Sequence, residues 1–195
     1  MILQKNFYQR NTLIVAKQLL GCILVRKIGR KIIRARIMET EAYVGEDDLA
    51  CHASRGRTKR TETMYGEAGH AYVYMIYGMY HCLNIVTEVK NYPAAVLIRA
   101  VEAEGIPFKE INGPGKLCRF LQIDRAFNGW DVTRAPEQGS VRGRPKANDL
   151  WIERGETVLS KNIRTDKRIG IGYAKHCKEY LWRFSLQKVL LKKQS

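Results

Sequence analysis

No apolar run in this 195-residue chain approaches the ~18 residues needed to cross a bilayer. The opening Met1-Ile-Leu-Gln-Lys-Asn-Phe7 has neither an apolar h-region nor a small-residue cleavage site. The sequence therefore predicts a soluble, intracellular protein that does not span a membrane. Cysteine is sparse and scattered: the five (Cys22, Cys51, Cys82, Cys118, Cys177) are odd in number, far apart and free of any C-x-x-C spacing. That excludes a disulfide scaffold and a zinc knuckle and points to reduced thiols. Cys51-His52, His81-Cys82 and His176-Cys177 adjoin in sequence, but neighbouring side chains rarely converge on one ion, so no metal site is assigned. There is no internal repeat and no low-complexity tract. A nucleotide-triphosphate loop is also missing. In Gly113-Pro-Gly-Lys116 the first glycine of G-x-x-x-x-G-K would fall on Glu110, and Leu117 replaces Ser/Thr.

Acidic residues are in deficit, with 19 Asp+Glu against 34 Lys+Arg and a net charge of +15. Such a charge favours a polyanionic partner, nucleic acid or an acidic membrane face, over mere solubility. With 45% hydrophobic residues the chain can bury a core and is not a disordered basic tail. Its length predicts one globular domain spanning 1–195.

Asn11 caps a helical pattern from Thr12 that closes at Gly21. Cys22 to Val25 and Lys31 to Val44 read as strands around a turn at Ile28-Gly29-Arg30. The stretch 45–67 reads as loop or short helix, and strand patterns return at 71–86 and 92–101. Gly113-Pro-Gly-Lys introduces a short helix over 117–123. The stretch 128–148 reads as a long loop. Residues 150–153, Arg168-Ile-Gly-Ile-Gly172 and 181–186 are short and β-prone. Helices mixed with hairpins, without regular βαβ alternation, predict an α+β fold around a curved, mainly antiparallel sheet.

Strand alternation puts Ile33, Ala35 and Ile37 on one face and continues in the same parity through Glu39, Glu41 and Tyr43. Two carboxylates on an apolar face mean either a strand end emerging into solvent or a functional cleft. Five of the ten tyrosines (Tyr65, Tyr72, Tyr74, Tyr77, Tyr80) crowd one stretch. Tyr77-Gly78 sits where a hairpin between 71–76 and 80–86 would turn, which makes Tyr77 either a duplex wedge or part of a tyrosine-rich core. Arg99 interrupts the apolar run Ala94 to Val101. It needs a carboxylate such as Glu41, or an edge strand facing solvent. His52 reads as a hydrogen-bonder to sugar or phosphate, or as a structural histidine.

Met38-Glu-Thr-Glu-Ala-Tyr43, Ala50-Cys-His52, Tyr72-Val-Tyr-Met-Ile-Tyr-Gly-Met-Tyr-His-Cys-Leu-Asn84, Leu97-Ile-Arg99-Ala and Gly113-Pro-Gly-Lys-Leu-Cys118 together resemble the alkyladenine (3-methyladenine) DNA glycosylase family. The resemblance runs from about Ile2 to Leu186 and includes Arg168-Ile-Gly-Ile-Gly172. It implies a single mixed α/β domain with flanking helices and a protruding hairpin that inserts into DNA. It further implies a monofunctional hydrolase that flips a damaged purine from double-stranded DNA and cleaves its N-glycosidic bond in base excision repair. On that resemblance Glu41 is the general base for a water attacking C1′. Arg99 keeps Glu41 ionised and helps hold the water, together with the main-chain carbonyl of Ile169. Tyr43 and Tyr74 sandwich the base, His52 closes the pocket, Asn84 screens out guanine at its floor, and Tyr77 fills the vacated stack. The substrates implied are 3-methyladenine, with 7-methylguanine, hypoxanthine and ethenoadenine beside it. No metal or cofactor and no lyase step are implied. The resemblance also favours a monomer, placed in the cytoplasm of a bacterium or the nucleus of a eukaryote.

Two features depart from the family pattern. Cys51 stands where a small residue such as Ala is expected, which would alter the pocket edge or add oxidation sensitivity. The basic 128–148 stretch, with Arg134, Arg142, Arg144 and Lys146, reads as an insertion touching backbone phosphates or as a solvated loop. Two rival functions remain at this point: a noncatalytic binder of distorted DNA or structured RNA, and a peripheral membrane protein. The segment 186–193 is too short to support the second well.

Overall fold

The computed structural model describes residues 1–134 and 148–186. Arg142, Arg144 and Lys146, most of the proposed 128–148 insertion, and the basic end at Lys192-Lys193 lie outside the described residues. After a one-turn helix α1 (Lys5–Tyr8), helix α2 (Thr12–Leu19) starts where Asn11 accepts hydrogen bonds from the Leu13 and Ile14 amides. These satisfy two of the N–H groups that a helix start leaves without partners. It buries Val15, Ala16 and Leu19 completely. Burying a leucine or valine side chain is worth about 1.5–3 kcal/mol, so this face alone commits the helix to the sheet.

Among the described residues the sheet has eight strands, all paired antiparallel, in the order β3-β4-β5-β2-β1-β6, with β8 joining β2 and β7 joining β8. These are β1 (Ile23–Ile28), β2 (Lys31–Val44), β3 (Ala71–Ile76), β4 (Tyr80–Val86), β5 (Ala94–Glu102), β6 (Asn148–Glu153), β7 (Ile163–Asp166) and β8 (Arg183–Leu186). The fold is α+β, as the sequence pattern predicts. No helix among the described residues is long and apolar enough to cross a membrane.

Strand β2 departs from simple alternation. Its pairing with β5 shifts register between Ile37 and Glu39 and again between Glu39 and Thr40. Before the shifts Ala35 and Ile37 face the main core; after them Ala42 does, and Thr40 Oγ1 donates to the Ala16 carbonyl at 2.9 Å. Glu39, Glu41 and Tyr43 therefore do not share a face with Ile33, Ala35 and Ile37, contrary to the alternation. A bulge inverts side-chain parity, and here it sends two carboxylates out of the apolar core.

Beyond β5, whose Val96, Ile98 and Ala100 enter the main core, come α3 (Phe108–Ile111) and α4 (Pro114–Phe120). Helix α4 begins three residues earlier than its sequence pattern suggests, because Pro114 is preorganised for the first turn. A side chain at Gly115 would sit 2.9 Å from the Tyr80 ring, so glycine lets α4 pack against the β3–β4 hairpin. Residues 168–172 form an irregular segment rather than a strand, with Gly170 at φ +78°.

The β3–β4 hairpin turns where predicted. The Met79 amide donates to the Ile76 carbonyl at 3.2 Å, and Tyr77 and Gly78 both have positive φ, 51° and 70°. This is the φ signature of a type I′ turn, whose first central position favours asparagine. Tyr77 instead stands there 85% exposed, a left-handed conformation that costs roughly 1–2 kcal/mol for an ordinary L-residue. We expect Tyr77→Asn to melt at or above the native temperature, with a gain of up to about 1 kcal/mol. A clear loss of stability in calorimetry would show that the tyrosine ring supports the fold.

Candidate active site

Tyr43 near the end of β2, the tyrosines of β3, the middle of β5 and residues of the 169–173 segment converge on a cleft of about 200 Å³. Tyr43, His52, Tyr74, Asn84, Arg99 and Ile169 all line it, and Tyr77 stands at its exposed rim. Every predicted site residue except Glu41 is thus a lining residue. Glu41 lies immediately behind, wholly buried. The Ile169 amide donates to its Oε1 at 2.8 Å, and the Tyr43 hydroxyl donates to its Oε2 at 2.8 Å. Ile169 thus also reaches the site through its amide, a contact to Glu41 separate from the water-holding role that the resemblance implies for its carbonyl.

Arg99 lies on an inner strand, between β4 and β2, not on an edge. Its Nη1 is 3.3 Å from Glu41 Oε1 and its Nε is 3.5 Å from Glu39 Oε1. These are ion pairs without good hydrogen-bond geometry, and Nε stays buried without a hydrogen-bond partner. Glu39 also pairs with Arg183 at 2.9 Å, so the two carboxylates differ in environment. Burial pushes the Glu41 pKa above the ordinary 4.5, outweighing the pull of Arg99 and the two hydrogen bonds, while Glu39 adds a smaller push in the same direction. Arg99 thus favours the ionised carboxylate, but desolvation dominates.

The aromatic wall is interlocked. His52 Nδ1 and the Tyr72 hydroxyl are 2.9 Å apart. The His52 and Tyr74 rings meet edge to face at 4.4 Å, and the Tyr72 and Tyr74 rings at 5.3 Å. The Asn84 amide donates to the Tyr72 carbonyl at 3.1 Å, which fixes its head group at the cleft wall. Arg60 places its guanidinium 5.5 Å from the Tyr74 ring centroid. Arg134, the described part of the basic stretch, is exposed and pairs with Asp131 at 2.7 Å. Cys51 is buried beneath the wall rather than lining it. Its thiol is pushed up to about 12 by burial, which disfavours the reactive thiolate. No group of three or more metal-ligating side chains occurs among the described residues.

Sequence reasoning missed three contributors to this site. Tyr72 positions His52; its i, i+2 spacing from Tyr74 was the available signal. Asp48 and Arg168 form a buried pair at 2.5 Å behind Tyr43, with no local pattern to announce it.

Relatives along the whole chain define the class. A protein of Methanocella arvoryzae is 47% identical over 94% of this chain and 91% of its own length. One of Clostridium perfringens strain SM101 is 41% identical over 96% of both, and one of Legionella pneumophila strain Corby is 43% identical over 95% and 94%. Each is named, by inference, a 3-methyladenine DNA glycosylase. The class is therefore a hydrolase of DNA repair. The family model of methylpurine-DNA glycosylase (MPG) matches residues 6–189, and the chain belongs to that family.

The wall makes one titration testable. Burial, then Arg60 and Arg55, lower the His52 pKa from 6.5 to about 4, so the ring is neutral at pH 7. The unfolded chain binds this proton at higher pH than the folded one. His52 therefore withdraws stability as pH falls below 6.5, with the full loss reached below about 4. In histidine-resolved NMR its signals should stay neutral down to about pH 5 and move near 4. A midpoint near 6.5 would contradict the buried wall.

Proposed function

We propose that this enzyme removes alkylated or otherwise damaged purines, 3-methyladenine first among them, by flipping the nucleotide into the aromatic cleft and hydrolysing its glycosidic bond. The observation that carries the reading is the wholly buried Glu41, held by the Ile169 amide and the Tyr43 hydroxyl beside Arg99. Desolvation raises a carboxylate toward the pKa of an effective general base at neutral pH. Glu41 Oε2 accepts one hydrogen bond in this set and retains capacity for a second. The buried Arg99 Nε is a donor without an acceptor. These two groups, with the Ile169 carbonyl, would hold a water against C1′. Its oxygen bonds to C1′ as the C1′–N bond breaks and the base departs, and its proton passes to Glu41.

The base itself would lie between Tyr43 and Tyr74, with His52 closing the slot. Cationic alkylated purines both leave readily and stack well on electron-rich rings. Asn84, fixed through Tyr72, would collide with the exocyclic amino group of guanine. Tyr77, held at the exposed hairpin tip, would enter the stack that the flipped nucleotide leaves, so its backbone strain serves the wedge. The enzyme would act as a monomer on double-stranded DNA through one domain, without a metal and without strand cleavage, since among the described residues no lysine lines the cleft as a Schiff-base nucleophile.

Single-turnover release from methylated duplex DNA without added metal tests this reading, following free 3-methyladenine and strand breaks together. The native enzyme should release base and leave intact abasic strands. Glu41→Gln should bind equally well and release about 10²–10⁴-fold more slowly. The native rate should rise with pH through a midpoint above 4.5, the sense in which burial shifts Glu41. Equal release by both proteins would remove Glu41 from the mechanism. Tight binding without release by either would make the protein a lesion binder.

A further inference from the structure

We propose that the buried Asp48–Arg168 ion pair is a positioning device that holds Glu41 and the Tyr43 wall in their working geometry, an inference that rests on Glu41 being the general base. The two side chains are 1% and 0% exposed. Arg168 Nη1 donates to Asp48 Oδ2 at 2.5 Å and Nη2 donates to Oδ1 at 2.8 Å, a two-pronged fork that fixes orientation as well as distance. The remaining contacts tie together three separate parts of the chain. Nη1 also donates to the Ala42 carbonyl at 2.9 Å and Nη2 to the Cys177 carbonyl at 3.2 Å. Asp48 accepts from the Val44 amide at 3.3 Å and from the Ala50 amide at 3.1 Å. The end of β2, the turn leading to His52 and the 166–183 return are thereby locked to one ion pair.

Two consequences reach the site directly. The residue after Arg168 is Ile169, whose amide holds Glu41 at 2.8 Å. The Arg168 guanidinium also lies 4.9 Å from the Tyr43 ring centroid and 4.9 Å from that of Trp182. It thus supports the ring whose hydroxyl donates to the other Glu41 oxygen. Both hydrogen bonds to the carboxylate depend on where this guanidinium sits. A buried ion pair is weak evidence for stability, because well-packed apolar residues often replace one at no loss. Its use here is specificity of position.

A role through Glu41 is separable from simple stapling, because the Ile169 amide favours the ionised carboxylate and a loosened loop withdraws that help. The other groups facing Glu41 are Arg99 from β5, Glu39 and Tyr43 from β2, Tyr74 from β3, Cys82 from β4, Arg183 paired across on β8, and Arg168 itself. Arg168→Lys keeps the charge of the last and removes only the fork, so it tests geometry rather than electrostatics. Asp48→Leu with Arg168→Met removes both partners and leaves no orphaned charge, so it costs less than a single loss although four backbone groups lose a partner.

In single-turnover release from methylated duplex DNA, with melting temperature and binding to a duplex carrying a stable abasic analogue followed in parallel, Arg168→Lys should be slower by about a hundredfold, the usual consequence of an ångström of misplacement. Its acid limb should move to higher pH while binding stays near native. The double variant should do the same, and it decides between the outcomes if Arg168→Lys does not fold. Native rate and acid limb in a folded variant would overturn the proposal. So would slow release with an unmoved acid limb, which is the mark of a staple alone. If Glu41→Gln also releases base, the general-base reading fails and carries the positioning role with it. If Glu41→Gln is inert and Arg168→Lys is native, only the positioning role falls.

Discussion

Taking one carboxylate out of water is the constraint on which this structure turns. An ionised group removed from solvent costs several kcal/mol even after relaxation, and Glu41 is wholly buried. Its environment offsets that cost only in part, since its pKa stays above the ordinary value despite Arg99 and two hydrogen bonds. The fold keeps a group in a state water would relieve, and it keeps it beside aromatic rings and an arginine. Glu39, two residues earlier, faces two guanidiniums instead of one, which leaves the two carboxylates chemically distinct.

The architecture serves that placement through small departures from regularity. A bulge in β2 moves the carboxylates off the core face while Thr40 and Ala42 keep the strand anchored. A left-handed tyrosine at the hairpin tip keeps a large ring in solvent at the cleft rim. An irregular 168–172 segment, where a strand would have aimed its amides into the sheet, instead turns the Ile169 amide onto Glu41. Each irregularity lies at the cleft or beside the Glu41 that backs it, as strain and bulges commonly do at functional sites.

Much of this was legible in the sequence because its signals are local. The Asn11 cap, the Gly29-Arg30 turn and the Tyr77-Gly78 turn each sit within a few residues of the structure they set, and the strands 71–76 and 80–86 match their patterns. Arg99 in an apolar run called for a buried carboxylate or an edge strand, and the fold supplies the first, Glu41 together with Glu39. The rest was hidden for physical reasons. One extra residue in a bulge leaves period-2 alternation intact on paper while inverting it in space. The alternating isoleucines and glycines of 168–172 imitate a strand. Asp48 and Arg168 are 120 residues apart, so nothing short of the tertiary fold pairs them. Tyr72 was visible as an aromatic but not as the group that orients His52, because a hydroxyl's partner depends on the neighbouring segment.

The family relationship and the site geometry meet in a single spatial claim: a damaged base leaves the duplex and comes to rest between Tyr43 and Tyr74 with its sugar facing residue 41. A crystal structure of Glu41→Gln bound to duplex DNA carrying one ethenoadenine tests it most directly. The account predicts the lesion base between those two rings, the C1′ atom turned toward Gln at position 41 and the Tyr77 ring in the vacated stack. A lesion still stacked inside the helix, or a base seated elsewhere with Tyr77 in solvent, would contradict it.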